Sequence, residues 1–388
     1  MKKVVKFGGS SLASAEQFKK VGNIIRKEES RRYVIPSAPG KRTPDDTKVT
    51  DMLYSCYGQA ILGEDAERDF EEQLEAIKER YNSIIRGLNL DLSLDEEFKT
   101  IRTNFSKKIG RDYAASRGEY LNGIIMAAYL GYEFIDAAEV IVFDENGNFD
   151  GDETHKILSE RLENTERAVI PGFYGAKPDG SIQTFSRGGS DITGSIVAKA
   201  VHADMYENWT DVSGFLIADP RIIKNPKPID VITYRELREL SYMGATVLHE
   251  DAIFPVRKEG IPINIRNTNA PEDKGTLIVE DTCRKPRFTI TGIAGKKDFA
   301  SITIEKAMMN SEVGFCRKVL EVFENNNISI EHMPSGIDTM TIFVHQPEFE
   351  GKEQAVISAI HRLAKPDSIE LEGDLALIAV VGRGMKST

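Results

Sequence analysis

The sequence predicts an α/β protein, with a largely parallel sheet between helices, followed by a smaller ferredoxin-like α+β region. Three observations lead there. Up to about residue 280, short runs rich in β-branched and aromatic residues alternate with segments of helical period, the pattern of parallel strands joined by crossover helices. Glycine-rich turns follow some of those runs, where open parallel sheets hold their ligands. From residue 299 to 371 the order becomes strand, helix, strand, strand, helix, strand.

The predicted strands of the first region are 4–7, 33–37, 134–141, 168–173, 205–209 and 261–265. Helical period covers 15–29, 113–130, 191–201 and 234–241, and Ser14 with Gln17 has the spacing of a capping box. Within 60–108, Leu74, Ile77, Tyr81 and Ile84 recur at helical spacing in an acidic stretch, so this segment reads as an inserted helical pair, a solvated scaffold element. Asp281 to Pro286 reads as a linker, which bounds a first domain at 1–283 and a second at 284–388. In the second, strands are expected at 288–294, 299–305, 328–332, 340–345, 368–371 and 375–381, and helices at 312–324 and 353–364. Residues 299–371 then form one complete βαββαβ unit.

Composition excludes several classes. Sixty-one acidic against 50 basic side chains give a net charge of −11, which argues against a nucleic-acid partner. No run of about 18 apolar residues exists to span a membrane. The start, Met1-Lys2-Lys3-Val4-Val5-Lys6-Phe7-Gly8, lacks the apolar stretch of a signal peptide. Cys56, Cys283 and Cys316 lie far apart and form no disulfide framework or CxxC pair, which suits a reducing cytoplasm. The six histidines show no metal-ligand spacing.

Four segments offer chemistry. Lys6-Phe7-Gly8-Gly9-Ser10-Ser11-Leu12 leads from a strand towards a helix; its glycines let backbone approach an anion, and Lys6 adds a point charge. Thr184-Phe185-Ser186-Arg187-Gly188-Gly189-Ser190-Asp191 is a second such turn, where Arg187 offers a fork for a carboxylate or phosphate and Asp191 is either functional or a helix cap. Asn208-Trp209-Thr210-Asp211-Val212-Ser213-Gly214 and Ala218-Asp219-Pro220-Arg221 follow a strand; Trp209 and Phe215 either wall a nucleotide or belong to the core. Ser116-Arg117-Gly118-Glu119 puts a glycine inside a helical pattern, at about 1 kcal/mol relative to alanine. That glycine either admits something close to the helix or is merely tolerated beside a surface Arg–Glu pair.

Together these segments, with 37–40 and 242–249 and in this order, closely resemble an aspartokinase (aspartate kinase) of the amino-acid kinase family. The resemblance runs across almost the whole chain, and the second region resembles an ACT regulatory domain. It implies the amino-acid kinase fold and MgATP-dependent phosphorylation of the β-carboxylate of L-aspartate. The product is 4-phospho-L-aspartate, the entry to lysine, threonine, methionine and, in many bacteria, diaminopimelate synthesis. It implies that Lys6 stabilises the transferring phosphoryl group, with Gly8, Gly9 and Ser10 as backbone contacts. Asp191 organises Lys6 and the metal–phosphate centre. Arg187 pins the substrate α-carboxylate, Gly188, Gly189 and Ser190 shape the pocket, and Glu119 holds the α-amino group. Thr50 stands at a substrate-side threonine, after an apparent insertion at 41–48. Thr210, Asp211 and Arg221 hold ATP. Mg2+ arrives with ATP and has no protein ligand.

Two positions depart from the family pattern. Thr246 replaces a nucleotide-contacting lysine, for which Lys224 or Lys227 compensates, and Leu216 replaces an aromatic that here stands at Phe215. The family's effector region falls on Met309, Ser311, Gly314, Phe315, Glu331 and Ser335. An acidic Glu331 favours a cationic effector, so lysine rather than threonine is the expected allosteric inhibitor. Relatives carry two ACT units, so 287–295 and 374–388 read as part of a second, truncated unit. The resemblance also implies a homodimer or dimer of dimers. The rival readings are a glutamate 5-kinase, an acetylglutamate kinase or a catalytically dead amino-acid sensor. Arg117-Gly118-Glu119 opposes the first two, and the joint presence of Lys6, Arg187, Asp191 and Arg221 opposes the third.

Overall fold

A computed structural model describes residues 1–386 without 187, 245–247, 249–251 and 282–287, and without the side chains of 65, 384 and 386. Arg187, Thr246, His249, Cys283 and most of the expected linker therefore lie outside the described residues. The chain divides into two compact units, one of 1–241, 246–292 and 382–388, the other of 242–245 and 293–381.

The first unit holds strands β1 (Lys3–Phe7), β2 (Arg31–Pro36), β3 (Glu133–Phe134), β4 (Ala168–Val169), β5 (Tyr174–Ala176), β6 (Ile182–Thr184), β7 (Met205–Thr210), β8 (Val231–Thr233), β9 (Ile263–Asn267) and β10 (Thr276–Val279). Its helices are α1 (Ala15–Arg26), α2 (Val49–Leu62), α3 (Glu67–Gly87), α4 (Asp95–Ser106), α5 (Arg111–Leu130), α6 (Ala137–Val140), α7 (Gly151–Glu163), α8 (Gly189–Ala200) and α10 (Phe254–Lys258), with α9 (Tyr234–Tyr242) ending at its border. Eight strands form one sheet in the order β3-β4-β2-β1-β7-β9-β10-β8. Among the described residues every pairing in it is parallel except β9 with β10, so the expected largely parallel sheet is present.

Strand alternation sorts the central residues between two faces. Val5, Phe7 and Trp209 face one core, which α1, α3, α4 and α5 complete. Lys6, Tyr206 and Asn208 face the other way, towards α8.

Several expected elements change. The run 134–141 is a strand only at its start, because Asp136 accepts a hydrogen bond from the Ala138 N–H at 3.0 Å and caps α6. The Ser14 hydroxyl does cap α1 by accepting from the Gln17 N–H, but the Gln17 side chain turns to Asn269 instead of completing the box. The segment 60–108 is not a solvated pair. Phe70, Leu74, Ile77, Tyr81 and Ile84 from α3, and Phe98, Ile101 and Phe105 from α4, are buried in the main core. The acidic residues that suggested a solvated element occupy only the outer face. Each buried side chain contributes about 1.5–3 kcal/mol relative to exposure.

The second unit has β11 (Gly292–Glu305), α11 (Phe315–Asn325), β12 (Ile330–His332), β13 (Thr339–His345), α12 (Gln346–Phe349), α13 (Glu353–Ala364) and β14 (Ser368–Val381). Its sheet runs β12-β13-β11-β14. The strands expected at 288–294 and 299–305 fuse into β11, starting only at Gly292, and those at 368–371 and 375–381 fuse into β14. The turn-like residues between them are absorbed by single left-handed positions, Asp298 with φ +70° and Asp374 with φ +57°. Helix α11 starts three residues later than expected, after left-handed Gly314. Among the described residues no helix is long and apolar enough to cross a membrane.

Burial of α3 makes a direct prediction. Ile77→Ala should lower unfolding free energy by about 2–5 kcal/mol, measured by urea denaturation. A loss below about 0.5 kcal/mol, as for a surface site, would return α3 to a solvated role.

Candidate active site

The site begins with strand register. Parallel pairing sets Lys6 opposite Asn208 on adjacent strands, both facing α8. Gly188, left-handed at φ +58°, caps α8, which leaves Asp191 in the first turn with its side chain pointing at the sheet. Asp191 is therefore not the cap. Its Oδ1 accepts from Lys6 Nζ at 2.6 Å and from Asn208 Nδ2 at 2.8 Å. The lysine side chain is 11% exposed and the aspartate 18%, so the pair is screened less than a surface ion pair. The Tyr206 hydroxyl donates to the Asp191 carbonyl at 3.1 Å. Gly194 permits this, since a Cβ there would stand 2.5 Å from that hydroxyl.

The first glycine turn closes over this pair. The Gly8 N–H donates to the Trp209 carbonyl at 2.9 Å, and a Cβ on Gly8 would lie 3.7 Å from Lys6 Nζ. Gly9 is in backbone contact with the segment after β2: the Gly40 N–H donates to the Gly9 carbonyl at 2.8 Å, and a Cβ on Gly9 would stand 2.8 Å from the Ala38 carbonyl oxygen. Ser10 is exposed, and Ser11 is buried with its hydroxyl 2.8 Å from that of Thr268.

Helix α5 supplies the opposite wall. Residues 116–119 are all buried, not a surface pair. The Arg117 guanidinium lies over the rings of Tyr113, Tyr120 and Tyr174. At Gly118 a Cβ would stand 2.8 Å from that of Ala38 and 3.8 Å from Thr50 Oγ1, so the glycine does admit a close neighbour. Asn122 Nδ2 donates to the Ser37 carbonyl at 2.6 Å. Burial pushes the Glu119 carboxyl up to about 8, although the Ala38 N–H, Lys6 and Arg117 pull the other way. Its Oε2 has no hydrogen-bond partner among the described residues. A buried acceptor without a partner is costly, and an arriving cationic donor removes that cost.

The remaining expected residues divide. Gly189 and Ser190 pack at the start of α8 against Phe173 and Gly172, at distances a further Cβ would violate. Thr210 ends β7 and Asp211 follows it, the two joined by a 3.2 Å hydrogen bond. Arg221 does not reach Lys6: its side chain is 85% exposed and paired with Asp219 at 2.6 Å. Trp209 and Phe215 are core residues, and Trp209 stacks on Phe7 and donates to Glu207 at 2.8 Å. Lys227 lies over the Phe288 ring and Lys224 is exposed. In the second unit, Met309 and Phe315 are buried in its core, so only their backbone is available to a ligand. Ser311 and Ser335 are exposed, Gly314 has open space where a Cβ would be, and Glu331 accepts from the Tyr242 hydroxyl. Sequence reasoning missed Asn208, Ala38 and Asn122 as site residues. Period-two alternation from Lys6 in the paired strand was the signal for Asn208. Among the described residues no cluster of His, Cys, Asp and Glu suits a metal ion.

Folding holds Glu119 as a neutral acid, so its contribution to stability is complete below its ordinary pKa near 4.5 and is lost as pH rises through about 8. Thermal midpoints should therefore fall more between pH 5 and 8 for the natural chain than for Glu119→Gln. Equal slopes would contradict this burial.

Comparison with known proteins agrees with this geometry. The family model described as "Amino acid kinase family" matches residues 1–267. Aspartokinase 3 of Bacillus subtilis is 41% identical, over 99% of this chain and 87% of the relative. The lysine-sensitive aspartokinase 3 of Escherichia coli is 25% identical, over 98% of this chain and 87% of the relative. The crystal structure of Clostridium acetobutylicum aspartate kinase, described as an allosteric enzyme, is 52% identical with a TM-score of 0.88, covering 100% of this chain and 88% of that one. A lysine–aspartate pair beneath a glycine turn thus stands on a fold shared over nearly the whole chain, which belongs to the amino acid kinase family and, within it, to the aspartokinases.

Proposed function

We propose that this chain transfers the γ-phosphoryl group of MgATP to the β-carboxylate of L-aspartate, giving 4-phospho-L-aspartate and ADP. The carrying observation is the Lys6–Asp191–Asn208 cluster beneath the Gly8–Gly9 turn, facing a buried carboxylate with an unpartnered oxygen. The aspartate carboxylate oxygen attacks phosphorus, the bond to the β–γ bridging oxygen breaks, and ADP leaves with that electron pair. The nucleophile is already an anion, so no general base is required, and the work is positioning and charge neutralisation.

Lys6 meets the equatorial oxygens of the transferring group. Its ammonium has three donors, of which Asp191 takes one. Asn208 holds Asp191 in place. Gly8, Gly9 and Ser10 offer backbone to the phosphates, while Thr210, Asp211 and Arg221 serve the nucleotide side; Arg221 must leave Asp219 to do so. Mg2+ comes with ATP and neutralises phosphate charge. Glu119 takes the substrate ammonium, which draws its carboxyl back to the charged form. Thr50, Gly188, Gly189 and Ser190 shape the pocket, and Arg187 pins the α-carboxylate.

We assign 1–283 to catalysis and 284–388 to ACT-type regulation, with lysine as inhibitor, in a cytoplasmic homodimer or dimer of dimers. The name of the lysine-sensitive Escherichia coli relative and the acidic Glu331 support lysine. We assign this reaction to the entry to lysine, threonine, methionine and diaminopimelate synthesis.

Lys6→Ala should reduce kcat at least 1,000-fold, about 4 kcal/mol of lost transition-state stabilisation, with an unchanged circular dichroism spectrum. Near-normal kcat would sink the assignment. Lysine titrated into the same assay should inhibit, and inhibition by threonine alone would overturn the effector reading.

A further inference from the structure

Helix α3 reaches the site from behind. Arg80 is only 4% exposed, although its helix carries an acidic outer face. Its Nη2 donates to the Gly40 carbonyl at 2.7 Å and its Nη1 to Asp46 Oδ2 at 2.6 Å. Asp46 also accepts from the Arg42 backbone N–H at 2.9 Å and from its Nε and Nη2 at 2.8 and 3.0 Å. The Arg42 hydrogen bond, then Arg80, holds the Asp46 carboxyl far below the usual carboxylate range. One buried guanidinium therefore grips both ends of the turn from Gly40 to Asp46.

That turn and the residues just before it touch both halves of the site. The Gly40 N–H binds the Gly9 carbonyl, and Ala38 contributes its N–H to Glu119. The next residue of α3, Tyr81, donates from its hydroxyl to the Gly118 carbonyl at 2.7 Å, just before Glu119. A buried ion pair is a poor device for stability alone, because desolvation offsets most of its attraction and apolar packing does as well. What it supplies is a fixed geometry.

We propose that Arg80 is a positioning residue for phosphoryl transfer: by holding Gly40 and Asp46 it fixes segment 37–48, and so the Gly9 backbone and the Glu119 carboxylate, against the substrates. The proposal rests on the functional reading of Gly9 and Glu119 above. It gives the 60–108 helices a role in substrate binding that their sequence pattern does not show.

The test uses the full chain with Arg80→Ala, Arg80→Lys, Asp46→Asn and the double variant Arg80→Ala/Asp46→Asn. Initial rates against aspartate and ATP, and amide hydrogen exchange of segment 37–48 without substrate, are measured on each. In Arg80→Ala the KM for aspartate should rise at least tenfold, and exchange at the Gly40 N–H should accelerate at least tenfold. Arg80→Lys should recover part of both effects. The double variant should be no worse than Arg80→Ala, because the two residues act as one unit. A folded Arg80→Ala with unchanged KM, or with kcat lowered only in proportion to its folded fraction, would overturn the proposal. Should Arg80→Ala fail to fold, Asp46→Asn carries the same expectation, and an unchanged KM there overturns it equally. If the natural chain does not phosphorylate aspartate, the functional reading fails; the exchange arm then decides, since unaltered exchange in segment 37–48 refutes the latch whatever the substrate.

Discussion

Lys6 and Asp191 hold each other at 2.6 Å across the face of the sheet, and Asn208 adds a second donor to the same oxygen. Each partner comes from a different element, so the pair exists only if β1, β7 and α8 are all in register. Much of the local architecture serves that demand. Gly188 starts α8 one turn before Asp191, and Gly194 lets Tyr206 anchor the helix to the sheet. The opposite face of β1 and β7 buries Phe7 and Trp209 against each other. A ridge of apolar packing on one side thus fixes a polar constellation on the other.

The second constraint is backbone contact at the carboxyl ends of β1 and β2. Gly9 and Gly40 meet so closely that a side chain on either would strike the other's backbone or its neighbour's. Gly118 repeats the device on α5, where it meets Ala38. Three glycines therefore converge on one short segment and bring the Gly8–Gly9 turn near the segment that contacts Glu119. The same closeness starves Glu119 of water and raises its affinity for its proton.

Much of this was legible in the sequence. Alternating period revealed the parallel sheet, and glycine pairs after apolar runs marked the turns near the site. Other parts depend on long-range packing that no local pattern encodes. The stretch at 295–298 and the Gly373-Asp374 pair carry turn residues, yet β11 and β14 run through them, with left-handed Asp298 and Asp374 absorbing the change. Helices α3 and α4 look amphipathic and acidic, and only the fold reveals that their apolar face is the main core. Arg80 was silent for the same reason: an arginine on a helix gives no sign of which loop will cross it. Arg221 differs: its motif is clear, but the structure pairs its exposed charge with the nearby Asp219.

On the proposed function, the Lys6–Asp191–Asn208 cluster supports phosphorylation of the side-chain carboxylate of aspartate. The most direct test incubates the chain with MgATP and hydroxylamine, offering L-aspartate, L-glutamate and N-acetyl-L-glutamate in separate reactions, and identifies the trapped acyl phosphate by mass spectrometry. The account predicts the β-hydroxamate of aspartate and no comparable product from the other two acids. Trapping from glutamate or acetylglutamate alone, or from none of the three, would contradict it.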